Sequence, residues 1–332
     1  MIFHTPILTL LLVSALAALM ALWSAGFGVT VVRRWDLQSG ARGQLLMERR
    51  TELVSTLFAL VMAAEAAALF LFVFNADRMA ALFVGAMCAV GTLNVNGYGF
   101  PALYAQIATF FAAAVWLVLD HVDRLGRDYP LTRVKYAAAL AIAPLVLVSG
   151  GLQLAYFLNL RTDVITSCCS KLFTPANTGI SDEMAGVDPA IALWALGIAG
   201  ALVLASGLRA LRTGRGHGLF ALAGAGYFGA ALVAMVSTIA LYVYENPNHH
   251  CPFCILKPDY GYIGYAFYLP LFGATALALG LGVVSPFAGR ESLRAPLPGV
   301  MRRLTLWALA GFAAYGAVTL WVIARSHLIL FG

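Results

Sequence analysis

Residues 218–243, GLFALAGAGYFGAALVAMVSTIALYV, run for 26 positions without a charged side chain. A helix needs about 20 apolar residues to cross the ~30 Å hydrocarbon core of a bilayer. Similar runs recur along the 332-residue chain, of which 61% is hydrophobic and only 11% charged, whereas soluble domains carry about 25% charged residues. We therefore predict an all-α, polytopic transmembrane helical bundle, with residues 1–332 forming a single integral membrane domain in the lipid bilayer.

The number of spans is eight or nine. Apolar length predicts runs at 6–32, 52–75, 79–96, 101–119, 134–156, 190–208, 218–243, 261–284 and 304–325. The uncertain segment is 79–101, because glycines and asparagines interrupt its second half. Broken backbone at membrane depth is tolerated only when it is buried in protein or lines a wet cavity. Either 79–96 is a ninth span, or part of 79–101 is re-entrant and the bundle has eight.

Lysine and arginine predict the orientation of the chain. Loops 120–135, 209–217 and 285–303 are rich in arginine and are expected to be cytoplasmic. Loops 157–189 and 244–260 carry more acidic than basic residues and are expected to be extracytoplasmic. The net charge of +6 is spread over short loops, so it does not indicate nucleic acid. We expect an integral protein of a bacterial inner membrane.

The two outer loops contain four of the five cysteines. Loop 244–260 includes the sequence HHCPFC, residues 249–254, and loop 157–189 contains the adjacent pair Cys168 and Cys169. In a Cys-x-x-Cys motif one thiolate is often exposed with a lowered pKa, and the thiolate is the attacking species in disulfide exchange. A protonated His249 or His250 would favour that thiolate. We therefore predict Cys251 and Cys254 as redox-active residues.

Cys168 and Cys169 are a second candidate pair. Adjacent Cα atoms lie about 3.8 Å apart, below the 4.4–6.8 Å of a relaxed disulfide. One of these two cysteines is therefore expected to pair with Cys251 or Cys254 at some stage of a cycle. A static disulfide between the loops is the alternative, since extracytoplasmic thiols oxidise readily.

This arrangement of cysteine pairs resembles membrane thiol oxidoreductases of the DsbB and vitamin K epoxide reductase type. The resemblance covers two loops and their spans, and it departs from the family in the number of spans and in the adjacency of Cys168 and Cys169. It implies electron transfer between an extracytoplasmic thioredoxin-like partner and a quinone. By the same resemblance, Cys251 and Cys254 would face the quinone, and Cys168 and Cys169 the partner.

Several other residues are weaker candidates. Tyr244, Tyr260 and Tyr262 surround the Cys-x-x-Cys motif and fit either an interfacial aromatic belt or the wall of a quinone site. Glu65 lies within an apolar run and is either a proton relay or a neutral packing residue. Cys88, also in an apolar run, is expected to be a small buried hydrophobe. No haem is expected, because the apolar runs contain no pair of histidines to ligate one, and because Ile255 rather than histidine follows the motif, which does not support covalent attachment.

Two other functions compete with thiol exchange. The first is transport or handling of a soft metal such as Cu, Zn or Hg, with His249, His250, Cys251 and Cys254 as ligands. The second is a non-enzymatic membrane subunit in which disulfides only hold loops together.

Overall fold

A computed structural model describes residues 5–36, 41–161, 164, 166 and 180–330. In this part of the chain all regular structure is helical, which confirms the predicted all-α class. Eight of the described helices are long and apolar enough to span a membrane. They are α1 (Thr5–Arg34), α2 (Arg42–Met79), α4 (Gly99–Asp123), α5 (Thr132–Leu158), α7 (Pro189–Thr213), α8 (His217–Ala234), α10 (Ile263–Val284) and α11 (Leu297–Arg325).

The span that begins with α8 continues through a π-helical turn, Met235–Ile239, into α9 (Ala240–Tyr244). Two further helices are too short to cross a bilayer, α3 (Ala89–Leu93) and α6 (Ile180–Ala185). Local sequence explains the ends of several helices. Asp188, for example, caps α7 because its carboxylate accepts hydrogen bonds from the N–H groups of Ala190 and Ile191.

The segment 79–96 does not form a ninth spanning helix. It contains the 3₁₀ turn Ala80–Leu82, turns around Gly85 and the five-residue helix α3. The 3₁₀ turn ends at Phe83, which is extended, and Gly85 follows with φ +85°, a left-handed conformation that glycine adopts without strain. Among the described residues the structure therefore agrees with the eight-span alternative, while the re-entrant position of 79–101 stays a prediction. The helix that contains the predicted run 52–75 extends beyond it at both ends, from Arg42 to Met79.

Contacts between Cα atoms divide the chain into two compact units. The first comprises Met1–Arg78, Leu93–Val164 and Pro286–Gly299. In it α5 packs against α1 and α4, and the ring of Phe58 meets that of Trp116 edge to face at 4.6 Å. The second comprises Met79–Thr92, Ile165–Ser285 and Val300–Gly332, and in it α8 packs against α7 and α10. The single integral membrane domain stays a prediction.

A buried ion cluster joins α4 to α5 in the first unit. The ammonium of Lys135 lies 2.9 Å from Asp120 and 2.8 Å from Asp123, and all three residues are buried. Asp123 also accepts a 2.7 Å hydrogen bond from the N–H of Leu131. Arg124 pairs with Asp120 at 2.8 Å, so two cations balance the two carboxylates. The cluster therefore fixes the turn between these two helices without leaving an uncompensated charge.

Candidate functional site

Three cysteine sulfurs meet in the second unit. The Sγ atoms of Cys88, Cys251 and Cys254 lie within 4.8 Å of one another, and those of Cys88 and Cys251 are 3.5 Å apart. No disulfide joins these three described residues, and they are only 0%, 2% and 8% exposed, respectively. The expected burial of Cys88 is confirmed, but its proximity to the Cys-x-x-Cys motif was missed. We call this group the sulfur cluster.

Two tyrosine hydroxyls hold the backbone of the Cys-x-x-Cys motif. Tyr244, the last residue of α9, donates a 2.5 Å hydrogen bond to the carbonyl oxygen of Cys251. Tyr268, in α10, donates a 2.8 Å hydrogen bond to the carbonyl oxygen of Pro252. Cys254 then begins a 3₁₀ turn that ends at Leu256. The motif is therefore anchored from the helices on both sides of its loop.

The first turn of α10 packs closely on the residues that follow the motif. A Cβ atom at Gly264 would lie 2.7 Å from the side chain of Leu256, 2.8 Å from that of Ile255 and 3.1 Å from the Ile255 carbonyl carbon. Glycine is thus required for this approach, and it keeps the 3₁₀ turn of Cys254 against the helix.

The two histidines before the motif do not join the sulfur cluster. His250 Nδ1 lies 3.0 Å from the carbonyl oxygen of Val236, in the π-helical turn. His249 stacks on the ring of Tyr244, with ring centroids 3.9 Å apart. Burial, followed by the charge of His250, lowers the pKa of His249. This direction disfavours the protonated imidazole expected beside the thiols. The group of potential metal ligands found among the described residues contains only sulfur.

The environment of the two motif thiols favours their protonated forms. For Cys251, the hydrogen bond with Cys254 raises the pKa of the thiol, and burial raises it further. For Cys254, the hydrogen bond with Cys251 lowers the pKa, but the hydrogen bond with Cys88 and burial outweigh that effect and raise it. This direction is opposite to the lowered thiol pKa expected from the motif, and the redox role of the two cysteines stays a prediction.

The segment that carries Cys88 is fixed to the loop between α5 and α7. The N–H of Thr166 donates to the carbonyl of Val84 at 3.0 Å, and its hydroxyl donates to the carbonyl of Gly91 at 2.9 Å. A Cβ atom at Gly85 would lie 2.0 Å from the Thr166 carbonyl oxygen. On its other side, the ammonium of Lys257 donates to the carbonyl of Met87. These contacts bring Cys88 to the Cys-x-x-Cys loop.

The predicted tyrosines differ in their surroundings. The rings of Tyr244 and Tyr260 meet edge to face at 4.7 Å, whereas Tyr262 is 52% exposed and adopts φ +57° at the start of α10. Tyr244 also positions the Cys251 backbone through its hydrogen bond, a role that neither the aromatic-belt nor the quinone-site interpretation included. The quinone site stays a prediction.

Three predicted site residues remain, namely Cys168, Cys169 and Glu65. Cys168 and Cys169 lie outside the described residues. Glu65 is buried in α2, in the first unit, and its Oε1 has no hydrogen-bond partner among the described residues. Its role as a proton relay stays a prediction.

Comparisons with known proteins identify no similar protein. No family model matches the chain, and neither a curated protein nor a solved structure matches it.

Proposed function

We propose that this protein is a membrane thiol–disulfide oxidoreductase whose reacting sulfurs are Cys88, Cys251 and Cys254. The observation that carries the proposal is the 3.5 Å separation between the Sγ atoms of Cys88 and Cys251, with Cys254 in the same group. A disulfide bond is about 2.05 Å long. Sulfurs already this close exchange partners through small side-chain movements, without rearrangement of the loop.

The exchange step conserves atoms and electrons. In the oxidised form a disulfide joins Cys251 and Cys254, and the thiolate of Cys88 attacks the Sγ of Cys251. The Cys88–Cys251 bond forms as the Cys251–Cys254 bond breaks, and Cys254 leaves as a thiolate. The proton that Cys88 gives up balances the one that Cys254 takes up. Formation of a new disulfide from two thiols delivers two electrons and two protons to a quinone, which becomes a quinol.

Burial of the sulfur cluster determines which partners can react with it. Since the three side chains are at most 8% exposed, a folded soluble protein cannot reach them directly. A quinone, which dissolves in the bilayer, suits such a site better. A thioredoxin-like protein would react instead with Cys168 or Cys169, and Thr166, two positions before Cys168, is hydrogen-bonded to the Cys88 segment.

The order of the spans supports a common side for these cysteines. With eight spans, the connections 83–98, 159–188 and 245–262 fall on one side of the membrane and the other connections on the opposite side. The opposite connections and the helix ends beside them carry most of the arginines, which favours the cytoplasm. We infer that the sulfur cluster lies near the extracytoplasmic side of an inner membrane.

The test is to map the oxidation state of each cysteine in native membranes. Thiols are alkylated with one reagent before reduction and with a second, mass-distinct reagent afterwards, and each cysteine is then scored by peptide mass. We expect a short-chain benzoquinone to oxidise a pair within the sulfur cluster and dithiothreitol to reverse it. Cys251→Ser is expected to abolish this change.

The variants Cys88→Ala and Cys88→Ser test whether the third sulfur takes part in disulfide exchange or only fills space in the packing. Both remove the third sulfur, and alanine avoids placing a new hydroxyl in a buried site. We expect both variants to retain the Cys251–Cys254 disulfide but to lose transfer of oxidising equivalents to Cys168 and Cys169. Thiols that stay reduced with benzoquinone, or a disulfide that resists dithiothreitol, would contradict the proposal.

A further inference from the structure

We propose that the reduced sulfur cluster binds one Cu(I) ion through the Sγ atoms of Cys88, Cys251 and Cys254, and that bound metal and disulfide exclude each other. The regulatory part of this proposal, the mutual exclusion of metal and disulfide, rests on the proposed function. Metal binding itself requires only that the three thiols be reduced together.

The spacing of the sulfurs fits a single ion. A metal–thiolate bond is about 2.3 Å long, which places the sulfurs of a three-coordinate planar site about 4 Å apart. The separation of Cys88 and Cys251 is 3.5 Å, and no pair in the cluster exceeds 4.8 Å. Shifts of less than about 1 Å, within the reach of side-chain rotation, therefore bring all three sulfurs to a common ion.

The donor set selects the kind of metal. Mg²⁺ and Ca²⁺ take oxygen ligands, and the ligating group here contains only sulfur. Soft thiolates favour Cu(I), Zn²⁺ and iron–sulfur clusters. Structural zinc sites almost always have four protein ligands, and the described part of the chain supplies three at this point. Three thiolates complete the coordination of Cu(I), so this ion is preferred.

The surroundings hold the ligands in place and exclude water. Tyr244 and Tyr268 fix the carbonyls of Cys251 and Pro252, and Lys257 bonds to the carbonyl of Met87, the neighbour of Cys88. Ligands fixed before binding lose less conformational entropy when the ion arrives. Binding releases three protons, and the complex of three thiolates with Cu(I) carries a charge of −2 that the nearby ammonium of Lys257 partly offsets.

The same sulfurs cannot form a disulfide and bind the metal ion at the same time. A disulfide between any two of them removes two of the three thiolate donors, so oxidation by quinone or by a disulfide expels the metal. Conversely, a bound ion occupies the Cys88 sulfur that would attack Cys251. Metal occupancy would thus hold the enzyme in its reduced, inactive form.

Binding is tested by titrating anaerobic, fully reduced protein in detergent with Cu(I) buffered by the chromophoric chelator bathocuproine disulfonate. We expect one Cu(I) per chain, and X-ray absorption showing three sulfur neighbours at about 2.3 Å. Cys88→Ser is expected to weaken binding at least tenfold. The double variant Cys168→Ser, Cys169→Ser is the matched control and should bind as the unmodified protein does.

Three results would overturn the metal site: no uptake of Cu(I), unchanged affinity in Cys88→Ser, or loss of binding in the double control. The exclusion is tested by adding benzoquinone to protein preloaded with Cu(I) and to metal-free protein. We expect preloading to slow disulfide formation at least tenfold, and equal rates would refute exclusion. If Cu(I) binds to three sulfurs but no disulfide ever forms, the metal site stands and the proposed function fails.

Discussion

Removing one hydroxyl should loosen the sulfur cluster without changing its sulfurs. Tyr244→Phe deletes the 2.5 Å hydrogen bond to the carbonyl of Cys251 but keeps the ring that packs against His249 and Tyr260. Leaving a buried carbonyl without its partner costs about 1–3 kcal/mol. If this whole cost destabilises the closed conformation of the Cys-x-x-Cys loop, the loop opens about 5- to 150-fold more often, because 1.4 kcal/mol corresponds to a factor of ten.

The assay is the rate at which a maleimide labels Cys251 and Cys254 in the reduced protein, read for each cysteine by peptide mass. These side chains are nearly unexposed, so labelling reports opening of the loop. Tyr242→Phe is the matched control, because Tyr242 lies in the same short helix and its hydroxyl has no hydrogen-bond partner among the described residues. Equal labelling rates in the two variants would refute the anchoring role of Tyr244.

Two further changes test packing in each unit. Gly264→Ala places a Cβ 2.7–3.1 Å from Leu256 and Ile255, so we expect maleimide to label Cys254 faster. Gly273→Ala is the control in the same helix; its Cβ has open space around it, so the labelling rate should be unchanged. Lys135→Met leaves the buried carboxylate of Asp123 without a cation, whereas Asp120 keeps its ion pair with Arg124. We expect it to lower the free energy of unfolding in detergent by about 3–5 kcal/mol, and a loss below about 1 kcal/mol would contradict the role assigned to the ion cluster.

Helix ends and breaks could be predicted only in part. The glycines and asparagines of 79–101 indicated broken backbone, and Gly85 and the short helix α3 confirm it. The sequence did not decide between eight and nine spans, because the apolar run 79–96 is long enough for either. The structure forms that run as turns and a short helix, and Thr166, a residue distant in sequence, donates hydrogen bonds to the carbonyls of Val84 and Gly91 within it.

The candidate site was half predictable. Cys251 and Cys254 share a four-residue motif, so their proximity follows from local spacing. The histidines beside them are equally close in sequence, yet His250 contacts Val236 and His249 stacks on Tyr244. Spacing along a loop limits which residues can meet, but it does not determine the direction in which each side chain points.

The sequence alone predicts the helical membrane bundle, because the length and apolar character of a run are local properties that decide whether it can cross a bilayer as a helix. Only the tertiary structure brought Cys88 to Cys251 across 163 residues. The reason is physical: contact between distant loops depends on how the helices pack and on single hydrogen bonds to backbone carbonyls, and neither leaves a periodic pattern in the chain.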